Sequence, residues 1–123
     1  MASQSLFQKY GGFARVSRVV LTFYDKVLDS EQIGGFFDDI DMGRLVDHQT
    51  KFIASTLGGP ASYTNERLQQ LHAHIGISDS DFDEMVKLLG EALDEHGFEP
   101  ADCKMVLQDI EARRKFIVGQ DAA

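Results

Sequence analysis

Among its 123 residues this chain has one cysteine, two prolines and only 12 basic side chains against 20 acidic ones. The lone thiol, Cys103, cannot close an internal disulfide, and it excludes zinc clusters built from several thiolates. The shortage of positive charge leaves a net charge of −8. Such a surface repels phosphate backbones and anionic headgroups, so neither nucleic acid nor a membrane is an expected partner. The acids are scattered and form no tail, which reads as a solvated surface. No apolar run approaches the roughly 20 residues of a bilayer span, and the polar opening Met1-Ala2-Ser3-Gln4-Ser5 lacks the pattern of a secretory leader. The expectation is a cytoplasmic protein in a reducing setting. Internal repeats, low-complexity tracts and linkers are also missing, so residues 1–123 are read as one domain.

The apolar side chains, 43% of the whole, recur at helical spacing, and glycine-rich breaks separate them. The pattern predicts an all-α fold. A short helix over Ser3 to Tyr10 should stop at Gly11-Gly12. The next, Phe13 to Leu28, carries Phe13, Val16, Val20, Phe23, Tyr24 and Val27 on one side. Ile33-Gly34-Gly35-Phe36-Phe37 then turns a corner. Asp41 is a plausible N-cap for a helix from Met42 to Leu57, whose apolar line Leu45, Phe52, Ile53 and Thr56 is interrupted by Gln49. Gly58-Gly59-Pro60 ends it. Beyond a loop through Tyr63 comes a short helix that Gly76 closes. Ser78 and Asp81 resemble a capping box opening Asp79 to His96, and Pro100 suits the first turn of a last helix reaching Val118.

Two histidines stand beside apolar stripes. In the short helix Leu68, Leu71, His72 and Ile75 follow the i, i+3, i+4, i+7 spacing, which puts the His72 imidazole on a buried face. His48 and Gln49 lie next to the apolar face of the preceding helix. A buried imidazole needs partners for its nitrogens, and a metal is one such partner; a satisfied core histidine is the other reading.

Several motifs then stand in a definite order: Lys9-Tyr10-Gly11-Gly12; Phe23-Tyr24-Asp25-Lys26-Val27-Leu28; Phe36-Phe37 before Asp41-Met42; His48-Gln49 before Phe52; Leu57-Gly58-Gly59-Pro60; Tyr63; and Leu71-His72 before Gly76-Ile77. In this order and spacing, from about Leu6 to Val118, the chain resembles the truncated haemoglobins, and among them group I. The resemblance implies a shortened globin, a two-over-two helical sandwich around haem b (iron protoporphyrin IX). It implies His72 as the proximal iron ligand, and Tyr24 and Gln49 as distal hydrogen-bond donors to a gas ligand of partial negative charge. Each such bond is worth roughly 1 kcal/mol, or about five-fold in affinity. A core tyrosine bonded to a carbonyl is the plainer reading of Tyr24.

His48 matches a position that supplies a second axial imidazole in some relatives, or else it is a surface histidine near a propionate. Phe37 matches the ring that packs flat on the porphyrin, with Phe36 behind it. Leu45, Leu68, Leu71, Ile77, Phe82, Met85 and Ile110 should line the pocket, and Arg44 and Tyr63 either meet the propionates or are solvated. Ile53 stands where some relatives have a tunnel-gating aromatic. The last helix has no histidine for a covalent haem link. His74 and His96 are read as exposed and Cys103 as packing.

The implied function is reversible binding of dioxygen, nitric oxide and carbon monoxide by a monomer, with oxygen transport or nitric oxide dioxygenase activity as its use. The chain has no flavin or nicotinamide motif, so turnover needs an external reductase. A bis-histidyl redox or gas-sensing module is the alternative, and a haem-free helical interaction module is the third reading.

Overall fold

The structure is a computed structural model that describes residues 5–58 and 76–118. His72, His74, Tyr63, Leu68 and Leu71 lie outside the described residues. Those that are described form α-helices and one 3-10 turn, with no strand among them.

Helix α1, Leu6–Lys9, is a single turn. Ser5 caps it by accepting from the Gln8 N–H, and the Gln8 side chain returns the bond to the Ser5 N–H, so two orphan donors are satisfied at once. The chain then reverses through Gly11 and Gly12, at φ of 89° and 70°. Two successive left-handed residues would strain any side chain, which is why a glycine pair stands there. Helix α2, Gly12–Asp29, follows and buries Val16, Val19, Val20, Phe23, Tyr24 and Val27. The valines are stiff at χ1 and lose little rotamer freedom on burial, so α2 makes a firm hub. It packs against both α3, Met42–Thr56, and α4, Asp79–Glu95. Helix α5, Pro100–Glu111, lies against α4, and α6, Arg114–Ile117, completes the described chain.

Both expected caps are present: Asp41 accepts from the Arg44 N–H, and Ser78 and Asp81 exchange bonds. Three expectations need correction. The last helix does not run unbroken to Val118, because the chain turns at Ala112 and Arg113. The Arg114 guanidinium explains the turn: it draws α6 onto the start of α4 by binding the Asp79 carbonyl at 3.1 Å, Asp79 and Asp83 carboxylates, and Glu111 at 2.8 Å. Phe13 belongs to the first turn of α2 and is 41% exposed, with its ring edge-on to Phe7 at 4.9 Å. His96 is half-buried rather than exposed, because its Nε2 meets the Thr22 hydroxyl of α2 at 2.7 Å.

One lock ties the end of α1 to the start of α5. After α4, bonds from the Gly97 N–H to the Asp94 carbonyl and from the Phe98 N–H to the Leu93 carbonyl turn the backbone sharply. This delivers Phe98 onto Tyr10, with the rings stacked at 3.8 Å and 9° apart. The Tyr10 hydroxyl donates to the buried Asp102 carboxylate at 2.5 Å and accepts from the Glu99 N–H at 3.0 Å. Lys9 reaches the same Asp102 oxygen at 2.8 Å and Glu99 at 2.9 Å.

Candidate functional site

The site's described half rests on α2, the 3-10 turn Gly34–Phe37 and α3. Helical periodicity carries Tyr24 inward, where it is only 5% exposed. The 3-10 turn is pressed against the end of α2: a Cβ on Gly34 would sit 3.0 Å from the Leu28 carbonyl oxygen and 3.2 Å from that of Val27. A side chain there would have to push these carbonyls aside by a few tenths of an ångström, and the close approach sets the Phe37 ring edge-on to Tyr24, 5.6 Å between centroids at 72°. Phe23 meets Tyr24 from the other side at 4.9 Å and 63°.

The Tyr24 hydroxyl has no hydrogen-bond partner among the described residues. Burial pushes its phenol well above the ordinary tyrosine range, so the oxygen keeps its proton and remains a donor at neutral pH. It is a donor held in an aromatic frame and left available.

On α3, Phe52 and Ile53 are buried, while Leu45, Val46 and Gln49 are half-buried. The Gln49 amide likewise lacks a partner among the described residues. Thr50 is satisfied by donating to the Val46 carbonyl at 2.7 Å. His48 and Arg44 lie exposed on α3, and Arg44 uses its backbone N–H to cap onto Asp41. From the other expected pocket residues, Ile77 and Ile110 are buried and Met85 half-buried. Phe82 is fully enclosed beneath the Arg114 guanidinium, 4.5 Å from the ring centroid. An open groove of about 360 Å³ between α2 and α3, lined by Phe13, Ser17, Val46 and Thr50 among others, contains none of the expected site residues.

Tyr24, on a helix that packs against α3, and Phe37 are thus brought together, and on α3 His48 and Arg44 are exposed. These described residues fit one side of a flat apolar group: half-buried Phe36, Phe37, Leu45 and Met85 supply apolar surface, and two unpaired donors supply a polar point. Among the described residues no group of three or more His, Cys, Asp or Glu side chains is placed to hold a metal ion. Sequence reasoning missed Arg113, which lies over the Phe52 ring, and the Tyr10–Asp102 lock; neither has a local signal, since their partners are tens of residues away.

The Bacterial-like globin family model matches residues 5–118. The Group 1 truncated hemoglobin of Tetrahymena pyriformis is 31% identical over 117 residues, which is 95% of this chain and 97% of that protein. Group 1 truncated hemoglobin GlbN of Mycolicibacterium paratuberculosis is 38% identical over 89 residues, 72% of this chain and 65% of that one. The crystal structure of the Tetrahymena pyriformis protein in its Fe(III) form superposes with a TM-score of 0.86 at 31% identity, covering 95% of this chain and all of the other. A 2/2 hemoglobin from Synechococcus, solved with covalently attached heme, gives 0.85 at 27% identity and covers 94% and 98%. The helical architecture is therefore that of the truncated two-over-two globins, a family whose general activity is haem-based gas binding. This chain belongs to the bacterial-like globins as a group I truncated haemoglobin.

Proposed function

We propose that this globin holds haem b between His72 on the proximal side and Tyr24, Gln49 and Phe37 on the distal side, and binds dioxygen, nitric oxide and carbon monoxide reversibly. The observation that carries the reading is the buried Tyr24 side chain, whose hydroxyl keeps its proton and has no acceptor among the described residues. Haem supplies an iron that takes small gases; the chain decides which of them stays.

Tyr24 and Gln49 donate to a ligand that gathers negative charge and do little for one that does not. Leu45, Phe52 and Phe37 keep water from competing for those donors. His72 would supply the protein ligand to the iron, its other ring nitrogen donating to a carbonyl. Arg44, at the exposed edge of α3, suits a propionate. Haem bound here would supply a ferrous iron for nitric oxide dioxygenation to nitrate, with Tyr24 and Gln49 as the donors, and a separate reductase would return the one electron that leaves the iron ferric. Among the described residues no helix is long and apolar enough to cross a membrane.

Tyr24→Phe tests the central point. Dioxygen should dissociate about five-fold faster or more, the factor that one hydrogen bond of roughly 1 kcal/mol implies. Carbon monoxide, a poorer acceptor, should change less. Equal dioxygen release from both proteins in stopped-flow measurements would remove Tyr24 from the mechanism.

We read His48, exposed on α3, as a rim residue and not as a second axial ligand. The unliganded ferrous protein should therefore be five-coordinate and high-spin, and His48→Ala should leave its absorption and resonance Raman spectra unchanged. A six-coordinate spectrum that His48→Ala converts to five-coordinate would establish the bis-histidyl redox or sensing module instead.

A further inference from the structure

The turn between α5 and α6 sends the Arg113 side chain across to α3, where the guanidinium carbon lies 5.2 Å from the centroid of the Phe52 ring. Its other ties are slight. One terminal nitrogen, Nη2, comes within 3.6 Å of Asp109, too far for a hydrogen bond, and Nε is buried with no acceptor among the described residues. A buried donor without an acceptor is destabilising, and the attraction of the charge to the ring face, together with the Asp109 carboxylate, offsets this. An arginine serving stability alone would be better satisfied at the surface.

Phe52 sits one helical turn beyond Gln49, and residues three apart on a helix are neighbours. The Gln49 amide has no hydrogen bond among the described residues to set its direction. Packing against its neighbours one turn away on α3, Phe52 among them, helps to do so. We propose that Arg113 is a positioning residue: by holding the Phe52 ring in place it selects the Gln49 rotamer and aims that amide at a bound gas. The proposal rests on Gln49 being a distal donor.

Carbon monoxide bound to the reduced holoprotein reports the distal donors through its infrared stretch, which splits into hydrogen-bonded and free bands. Gln49→Leu should deplete the hydrogen-bonded band. Arg113→Met, of similar volume but without the charge or the orphan nitrogen, should deplete it about two-fold or more, the scale of coupling between contacting residues. Arg113→Lys keeps the charge without the planar face and should recover part of the band; it also carries the test should Arg113→Met fold poorly. In a Gln49→Leu background, Arg113→Met should add nothing.

Unaltered bands in both Arg113 variants, with Gln49→Leu altered, would overturn the positioning role alone. An Arg113→Met effect that persists without Gln49 overturns it as well, since the effect then runs by another route. Unaltered bands in Gln49→Leu would overturn it together with the distal reading of Gln49.

Discussion

Protein carrying His72→Ala is expected to keep its helices and lose its haem. An axial imidazole is the one strong bond between chain and iron in this class of site. Removing even the outer partner of a metal-bound histidine weakens affinity by about 10–100-fold. Loss of the ligand itself should exceed that, so haem transfer to an apoglobin acceptor should quicken by more than about 100-fold. The Soret band should be weak after gel filtration, while far-ultraviolet circular dichroism stays helical. Tyr24→Phe and His48→Ala serve as controls, since neither removes the proximal bond and both should stay coloured. A His72→Ala protein that retains a normal five-coordinate spectrum would mean that some other nitrogen holds the iron.

The second large effect concerns the lock at Tyr10. Tyr10→Phe keeps the ring stacked on Phe98 but deletes a bond to a carboxylate and leaves the Glu99 N–H without its acceptor. A hydrogen bond to a charged group is worth about 2 kcal/mol, which for a chain of this length lowers Tm by about 8 °C. The pH dependence follows from Asp102. The Lys9 ammonium, and after it the Tyr10 hydroxyl, hold this carboxyl below its usual range. A depressed folded value means stability that is fully present above the unfolded value of about 4 and lost as pH falls through the folded one. The gap between wild type and Tyr10→Phe should therefore be constant from neutrality down to about pH 4 and narrow below it. Thermal melts across that range check it. A gap that is small at pH 7, or that widens in acid, would show that the stacked rings alone do the holding.

The comparison of sequence with structure divides along the range of the interactions. Caps at Asp41 and Ser78 were legible because a cap joins residues three apart, and the spacing of polar and apolar side chains announces it. The inward path of Tyr24 was legible for the same reason, as helical period assigns a face. The break at Arg113 was not, because it depends on Asp79 and Asp83 arriving from another helix. Nor could the half-buried state of His96 be read, since Thr22 lies far off in the chain. Phe13 misled for a related reason: periodicity places it on the apolar side of α2, but at the helix's first turn little chain remains to cover it.

From residue order alone come the all-α class, the glycine reversals, the caps and the motif series that marks a truncated globin, because each is a matter of neighbours or of repeating period. Tertiary packing alone decided that the Tyr24 side chain is buried with its hydroxyl unclaimed among the described residues, that Asp102 receives Lys9 and Tyr10, and that Arg113 lies over Phe52. These join elements whose approach in space depends on the whole core, and no local pattern encodes a distance between helices.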